Sequence, residues 1–488
     1  MKPIRVLYFL LTLLVPEATC SIPFRLKLAE IQQKVHDMAA AGPSTLPDSN
    51  AKKNGRVFYP IGYGADPTGA QDSSDAILMA LGDAFQLQNE LVLLPGVNDL
   101  GGVVIDMQGG NYKISKPIRF PAQGGGNVHG GTLRASDTFP GDRHLIELWA
   151  PDSQKLQKTT STHPDNLANM QVQNVGIYYE GITFRDLLFD SSYRGGGIFV
   201  IDSARIRINN CFFIHFTTQG ILVQKGHEAF ISSCFIGQHL TVGGDKGEKS
   251  FSGTGIDLDG NDNAVTDVVI FSAATGVILR GQANILTGVH CYNKATFFGG
   301  IGILVKLAGL SQTRIDNCYM DYTGIVMEDP VQVHVTNGFF LGDANIVLRS
   351  VKGQISGLNI VDNMFSGDPN LMNPIVKLEG EFIDVDQVVI DRNNVNGMRL
   401  KSTVGKLTVA GNGTKWVADF SSLLVFQNRI NHFQYSFYYV RGNSAFVANA
   451  VTNVSNNVVV VESDKAVDGV VSMVVDQYNM VGEKNLLM

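Results

Sequence analysis

The chain has 488 residues, 44% of them hydrophobic and 17% charged, with a formal net charge of −7 at pH 7. That balance is too apolar for a disordered chain and too acidic for a nucleic-acid binder held by bulk charge. Its 52 glycines and the lack of any long 3.6-residue periodicity argue against a helical bundle and suit an all-β protein.

The first 20 residues read as a secretory signal. Lys2 and Arg5 precede the apolar run Val6–Val15, and the small residues Ala18 and Cys20 suit cleavage. Pro16 and Glu17 end the run well short of the ~20 apolar residues a membrane span needs, so export is expected and no membrane partner remains after cleavage. Residues 21–54 form a polar lead segment with one weakly amphipathic piece, Arg25–Ala41.

A solenoid domain is assigned to 55–395. It opens with Asp72-Ser-Ser-Asp75 and an apolar stretch. Asp72 suits an N-cap and Asp75 the positive end of a helix. Ile77, Leu81 and Ala84 share one face, which would cover the open apolar end of the solenoid. The Gly-rich stretch 124–131 lacks the lysine of a phosphate loop and is expected to be a tight turn between coils. Residues 150–172 are polar and unpatterned, as in a protruding loop.

From Gly197 to Glu379 one pattern returns about every 20 to 35 residues: GIFVID, GILVQK, GIDLDG, GVILRG, GILVKL, GIVMED, NIVLRS. Its first apolar column is Ile198, Ile221, Ile256, Val277, Ile303, Ile325, Ile346. The second is Val200, Val223, Leu258, Leu279, Val305, Met327, Leu348. Alternation at period two buries one face of a strand, and recurrence at this spacing marks a repeat architecture. The spacers are rich in Gly, Asn and Thr and carry further strand patterns, so the fold expected is a parallel β-helix.

A second ladder supports this. RINNCFF, FISSCFI, AVTDVVI, ILTGVHC, RIDNCYM, HVTNGFF and QISGLNI align with an apolar column Ile208, Ile231, Val265, Leu286, Ile315, Val335, Ile355. A turn column, Asn210, Ser233, Asp267, Gly288, Asn317, Asn337, Gly357, holds residues that tolerate left-handed backbone. Cys211, Cys234, Cys291 and Cys318 fall on inward columns. Their spacing suits no zinc site. Cys211 and Cys234 sit on adjacent coils, where a disulfide is conceivable, but buried thiols are the preferred reading. After 395 the rhythm fades, and 396–488 is assigned to a β-rich C-terminal cap. It carries two glycosylation triplets, at Asn412 and Asn453.

The stretch YGADPTGAQDSSDAILMAL, followed by Leu91-Val-Leu-Leu-Pro-Gly96 and Gly110-Asn-Tyr-Lys-Ile114, resembles the opening of the pectate-lyase-like superfamily. In overall layout and length the chain is similar to the plant quartet-type polygalacturonases. The resemblance implies a right-handed parallel β-helix with an N-terminal capping helix. It further implies a secreted glycoside hydrolase that cleaves α-1,4-galacturonosyl links of cell-wall pectin with inversion, in cell separation such as that of pollen tetrads. The Asn-Thr-Asp, Gly-Asp-Asp, Gly-His-Gly and Arg-Ile-Lys motifs of typical polygalacturonases are absent, so no catalytic residue carries over by motif.

Candidate residues come from strand register instead. With Ile256 and Leu258 inward, Asp257 and Asp259 point outward together, roughly 6.5–7 Å apart. Inverting glycosidases hold their carboxyls roughly 6.5–9.5 Å apart, and like charges that close raise one pKa. Arg280, Lys306 and Arg349 share an outward column and form a basic stripe suited to uronate carboxylates. His290 is expected beside the same coils as a proton-transfer aid. No metal or cofactor is required, and the chain is expected to act as a monomer on an acidic polysaccharide. Two rivals stay open. One is a lyase with Ca²⁺ on Asp257, Asp259 and Asp262 and Arg280 or Lys306 as base. The other is a non-catalytic wall-binding protein.

Overall fold

A computed structural model describes residues 51–90, 92–94, 97–98, 102–121, 125–149, 177–239, 252–292, 299–439 and 446–479. The signal stretch, nearly all of the lead segment and the loop at 150–172 lie outside the described residues. Lys52–Met488 form one compact unit.

The α-helix α1 (Ser74–Glu90) starts where the sequence places it. The Asp72 carboxylate accepts from the Ser74 amide at 3.1 Å and from the Ser74 hydroxyl at 2.6 Å, which satisfies a donor the helix leaves open. Ile77, Leu81 and Ala84 are buried in the main core. Over its described residues, 125–131, the Gly-rich stretch is not a turn. Residues 126–135 form strand β1 (Gly126–Ala135), with Gly130 at φ +76° where the strand bends. Glycine permits that bend without breaking the pairing.

Sheet I runs the length of the coils. Its strands include β2 (His144–Leu148), β3 (Gly196–Ile201), β4 (Gln219–His227), β5 (Thr254–Asn261), β6 (Thr275–Leu279), β7 (Ile301–Val305), β8 (Ile325–Glu328), β9 (Ile346–Arg349) and β10 (Val376–Glu379). Each pairs in parallel with the next. Register follows both apolar columns: Ile198 meets Ile221, then Ile256, Val277, Ile303, Ile325, Ile346 and Val376. All of these are inside.

The other two faces join in one 22-stranded sheet. A long strand such as Ile182–Asp190 passes through the bend and pairs with both Arg207–Asn209 and Phe212–Ile214. The coils together form a right-handed parallel β-helix. The turn column is left-handed as expected: Asn210 φ 49°, Ser233 53°, Asp267 52°, Gly288 65°, Asn317 52° and Asn337 56°.

The last rung of that ladder differs from the sequence alignment. Val335 pairs with Ile360, not Ile355, and Phe340 pairs with Phe365. The turn residue of this coil is therefore Asp362, φ 59°. The coil inserts one extra strand, Gln354–Ser356, which pairs with Asp384–Asp386. Both segments carry the same apolar–turn–apolar signature, and Gly357 is itself left-handed at φ 64°, so a period-two pattern cannot separate them.

Cys211, Cys234, Cys291 and Cys318 are buried free thiols. Beyond the coils, β11 (Val404–Asp419), β12 (His432–Tyr439), β13 (Asn449–Ser455) and β14 (Val458–Asp476) form an antiparallel sheet with β14 at its centre. The sheet has its own core, anchored by Trp416, whose indole donates to the Gly469 carbonyl at 3.1 Å. Asn412 and Asn453 are both exposed on it.

Candidate active site

Inward residues of sheet I are sealed in the core, so chemistry belongs to its outward columns. One column runs Glu147, Phe199, Leu222, Asp257, Ile278, Leu304, Val326, Val347. In the next, Gln224 lies in register with Asp259. Asp257 and Asp259 thus project from one face of β5, as the alternation of that strand dictates.

Their surroundings differ sharply. Asp257 is only 5% exposed. Its two oxygens accept from Arg280 of the next coil, Nε to Oδ1 at 2.8 Å and Nη2 to Oδ2 at 3.0 Å. This fork fixes both side chains. Asp259 is exposed and lines a cavity of about 240 Å³ with Lys225, His227, Asn261 and Arg280. Desolvation by the cavity walls raises its pKa, and the charge of Asp257 adds to the rise against the pull of Arg280 and Lys225.

The expected basic stripe is only partly free. Arg280 is committed to Asp257. Arg349 is shared between Glu379 at 3.2 Å and Glu328 at 3.7 Å. Lys306 is exposed. His290 does not stand beside the aspartates. It sits on strand His290–Tyr292 of the other sheet, in register with Val269 and Tyr319. The Gly288 bend separates its strand from the rest of its coil, so following Asp257 and Asp259 in sequence does not bring it to their face. The calcium trio is also not assembled. Asp257 faces a guanidinium, and Asp262 turns toward His227, 3.6 Å away.

Two neighbours went unread in the sequence. Lys225, the last residue of GILVQK, and His227, two residues on, lie at the end of β4 and line the Asp259 cavity. The only signal was their position one coil before the acidic pair. The second omission is an ionic cluster around β2. Glu147 is 1% exposed and accepts from Arg119 Nε at 2.9 Å and from Arg143 Nε at 2.7 Å and Nη2 at 2.5 Å. Burial pushes its pKa upward, but the hydrogen bonds from Arg143 and Arg119 outweigh that and leave it lowered. His144 beside it is pushed down to about 4, chiefly by burial.

No family model matches the sequence. Over 428 residues it is 54% identical to polygalacturonase QRT3 of Arabidopsis thaliana, covering 86% of this chain and 84% of that protein. The chain belongs to the QRT3 polygalacturonase family. Among solved structures it is similar to the endo-xylogalacturonan hydrolase of Aspergillus tubingensis, with TM-score 0.48, 11% identity and coverage of 70% of this chain and 92% of that one. It is also similar to a tailspike protein of an Escherichia coli bacteriophage, with TM-score 0.46, 9% identity and coverage of 85% and 91%. In this QRT3-family chain, then, the cleft residues are Asp259, Arg280, Lys225 and His227, drawn from three successive coils of sheet I, with Asp257 buried behind Arg280.

Proposed function

We propose that this QRT3-family protein is a secreted glycoside hydrolase that cuts the α-1,4-galacturonosyl links of pectin in the cell wall, with inversion, during cell separation such as that of pollen tetrads. The observation that carries this is Asp259: a solvent-reached carboxyl with a raised pKa, beside a second carboxylate on the same strand. A raised pKa keeps the proton a general acid must deliver. Asp259 protonates the leaving glycosidic oxygen. Asp257 takes the proton of the attacking water, using the lone pair each oxygen retains after accepting from Arg280. The guanidinium N–H groups of Arg280 not spent on Asp257, and the ammonium groups of Lys225 and Lys306, meet uronate carboxylates.

The test is reducing-end release from polygalacturonate by the purified protein. Asp259→Asn is expected to cut the rate by about 10³-fold, within the usual range for a general acid, with the fold intact by circular dichroism. Unchanged release by Asp259→Asn discards the site. Products that absorb in the ultraviolet as unsaturated uronates replace hydrolysis with elimination.

A further inference from the structure

The face of the coils that carries His290 holds a surface that catalysis leaves unused. Seven outward rungs stand in register on successive coils from Phe212 to Met364, with Phe235, Tyr319 and Phe339 among them. None of the seven is an Asp, Glu, Lys or Arg. An outward column meets water and has no packing reason to be apolar. This one leaves Phe212 45%, Phe339 42% and Met364 49% exposed. At ~4.8 Å per coil the stripe is roughly 30 Å long. Contiguous exposed apolar surface of that extent marks an interaction site. Two features narrow the occupant. Neighbouring rings are inclined, by 38° between Phe212 and Phe235, 73° between His290 and Tyr319, and 38° between Tyr319 and Phe339. The stripe is therefore ridged, and a flat sugar ring laid on it meets edges rather than one plane. The ridges also repeat at the coil spacing. Two combs interdigitate over many teeth only when their pitches agree, and another stack of the same coils has that pitch. Charge fits as well: the net −7 of the chain opposes self-association through any face that concentrates it, and this column carries none of it.

We infer that this stripe is a self-association surface, covered in solution by the same stripe of a second copy in a twofold dimer. This departs from the monomer expected of the sequence. With the next outward column, through Tyr292, Asp321 and Leu341, the face is roughly 15 Å wide, so the dimer buries close to the ~1,000 Å² in total that a specific interface needs. An interface of that size is weak, with a dissociation constant in the micromolar range, and its origin is apolar burial rather than ion pairing. No residue of the Asp259 cavity belongs to the stripe.

Sedimentation equilibrium of the purified protein tests this. Wild type is expected to be mostly monomer at about 1 µM and mostly dimer at about 100 µM, and to keep that affinity in about 0.5 M NaCl, because salt does not screen an apolar contact. Phe339→Lys lowers the net negative charge rather than adding to it, and should weaken association about ten-fold. Met364→Lys, at the far end of the stripe, should act alike, and it carries the test if circular dichroism shows Phe339→Lys unfolded. Tyr438→Lys, at an exposed ring of the C-terminal sheet, should leave the dimer intact. A monomer at every concentration overturns the inference. So does a dimer that salt dissolves, that Tyr438→Lys breaks, or that both stripe variants leave unchanged. A monomer that instead co-sediments with cellulose, and no longer does so as Phe339→Lys, gives the stripe to a neutral polysaccharide and equally overturns the dimer.

Discussion

Sheet I and the neighbouring face that carries His290 rise on the same coils with the same parallel ladder, and their outward columns differ: sheet I sets buried ion pairs among apolar rungs such as Ile278, Leu304 and Val326. Sheet I presents Glu147, Asp257 and Asp259 against Arg119, Arg143 and Arg280, around two cavities. The other face presents a chain of rings. Phe212 and Phe235 lie 5.6 Å apart, Phe235 and Phe271 4.7 Å, His290 and Tyr319 4.2 Å, Tyr319 and Phe339 5.9 Å. His290 is one rung of that ring stack. Its Nε2 is buried without a partner, and burial lowers its pKa. The backbone hydrogen bonds and inward columns hold the solenoid whatever the outward residues are, so each face is free to take a separate task.

The largest contrast is kinetic. Asp259→Asn should cost about 10³-fold in reducing-end release, while His290→Phe should leave it within about two-fold. A large loss in His290→Phe would merge the two faces into one site. The next contrast concerns stability. Glu147→Ala leaves two guanidinium groups without their buried carboxylate and should cost about 3 kcal/mol, read from the denaturant midpoint. A midpoint equal to wild type would mean that the ion pairs only balance their own desolvation.

His144 gives sheet I an acid sensitivity of the same sign as the one that the lowered pKa of His290 gives the ring face. Its pKa is about 4 in the folded chain against 6.5 for an unperturbed histidine, so the unfolded chain binds the extra proton first. Its contribution is complete above about pH 6.5 and is lost as pH falls toward 4, on the order of 3 kcal/mol in all. Thermal midpoints between pH 7 and 4 should show that slope, and His144→Gln should flatten it. A slope unchanged in His144→Gln would assign the acid loss to other groups. The loss owed to Glu147, whose folded pKa is lowered, begins only as pH drops into the carboxylate range.

The fold was legible because the solenoid repeats its own constraint. Every inward column of sheet I is apolar for the same reason, and the left-handed turn column selects Asn, Asp, Ser and Gly. One rung slipped where Ile355 and Ile360 offered the same alternation and an inserted strand decided between them. The site was legible only as far as one strand reaches. Asp257 and Asp259 share β5, so period two placed them correctly. The Asp257–Arg280 fork spans 23 residues and the Arg119–Glu147 bond 28. Both depend on which outward side chains of adjacent coils incline toward each other, which sequence spacing does not encode. His290 failed for a related reason: nearness in sequence to the acidic pair is lost once the chain turns a corner.

The smallest effect probes the ring face alone. Tyr319 is half-buried, with its ring between His290 and Phe339. Tyr319→Leu keeps a large apolar side chain but removes two edge or tilted ring contacts, each of the kind that contributes ~0.5–1.5 kcal/mol. A loss of about 1 kcal/mol is expected, with reducing-end release and oligogalacturonate affinity unchanged, because no residue of this column lines either sheet I cavity. A drop in turnover at unchanged stability would instead show that the ring stack reaches the cleft, and the division of labour between the two faces would fail.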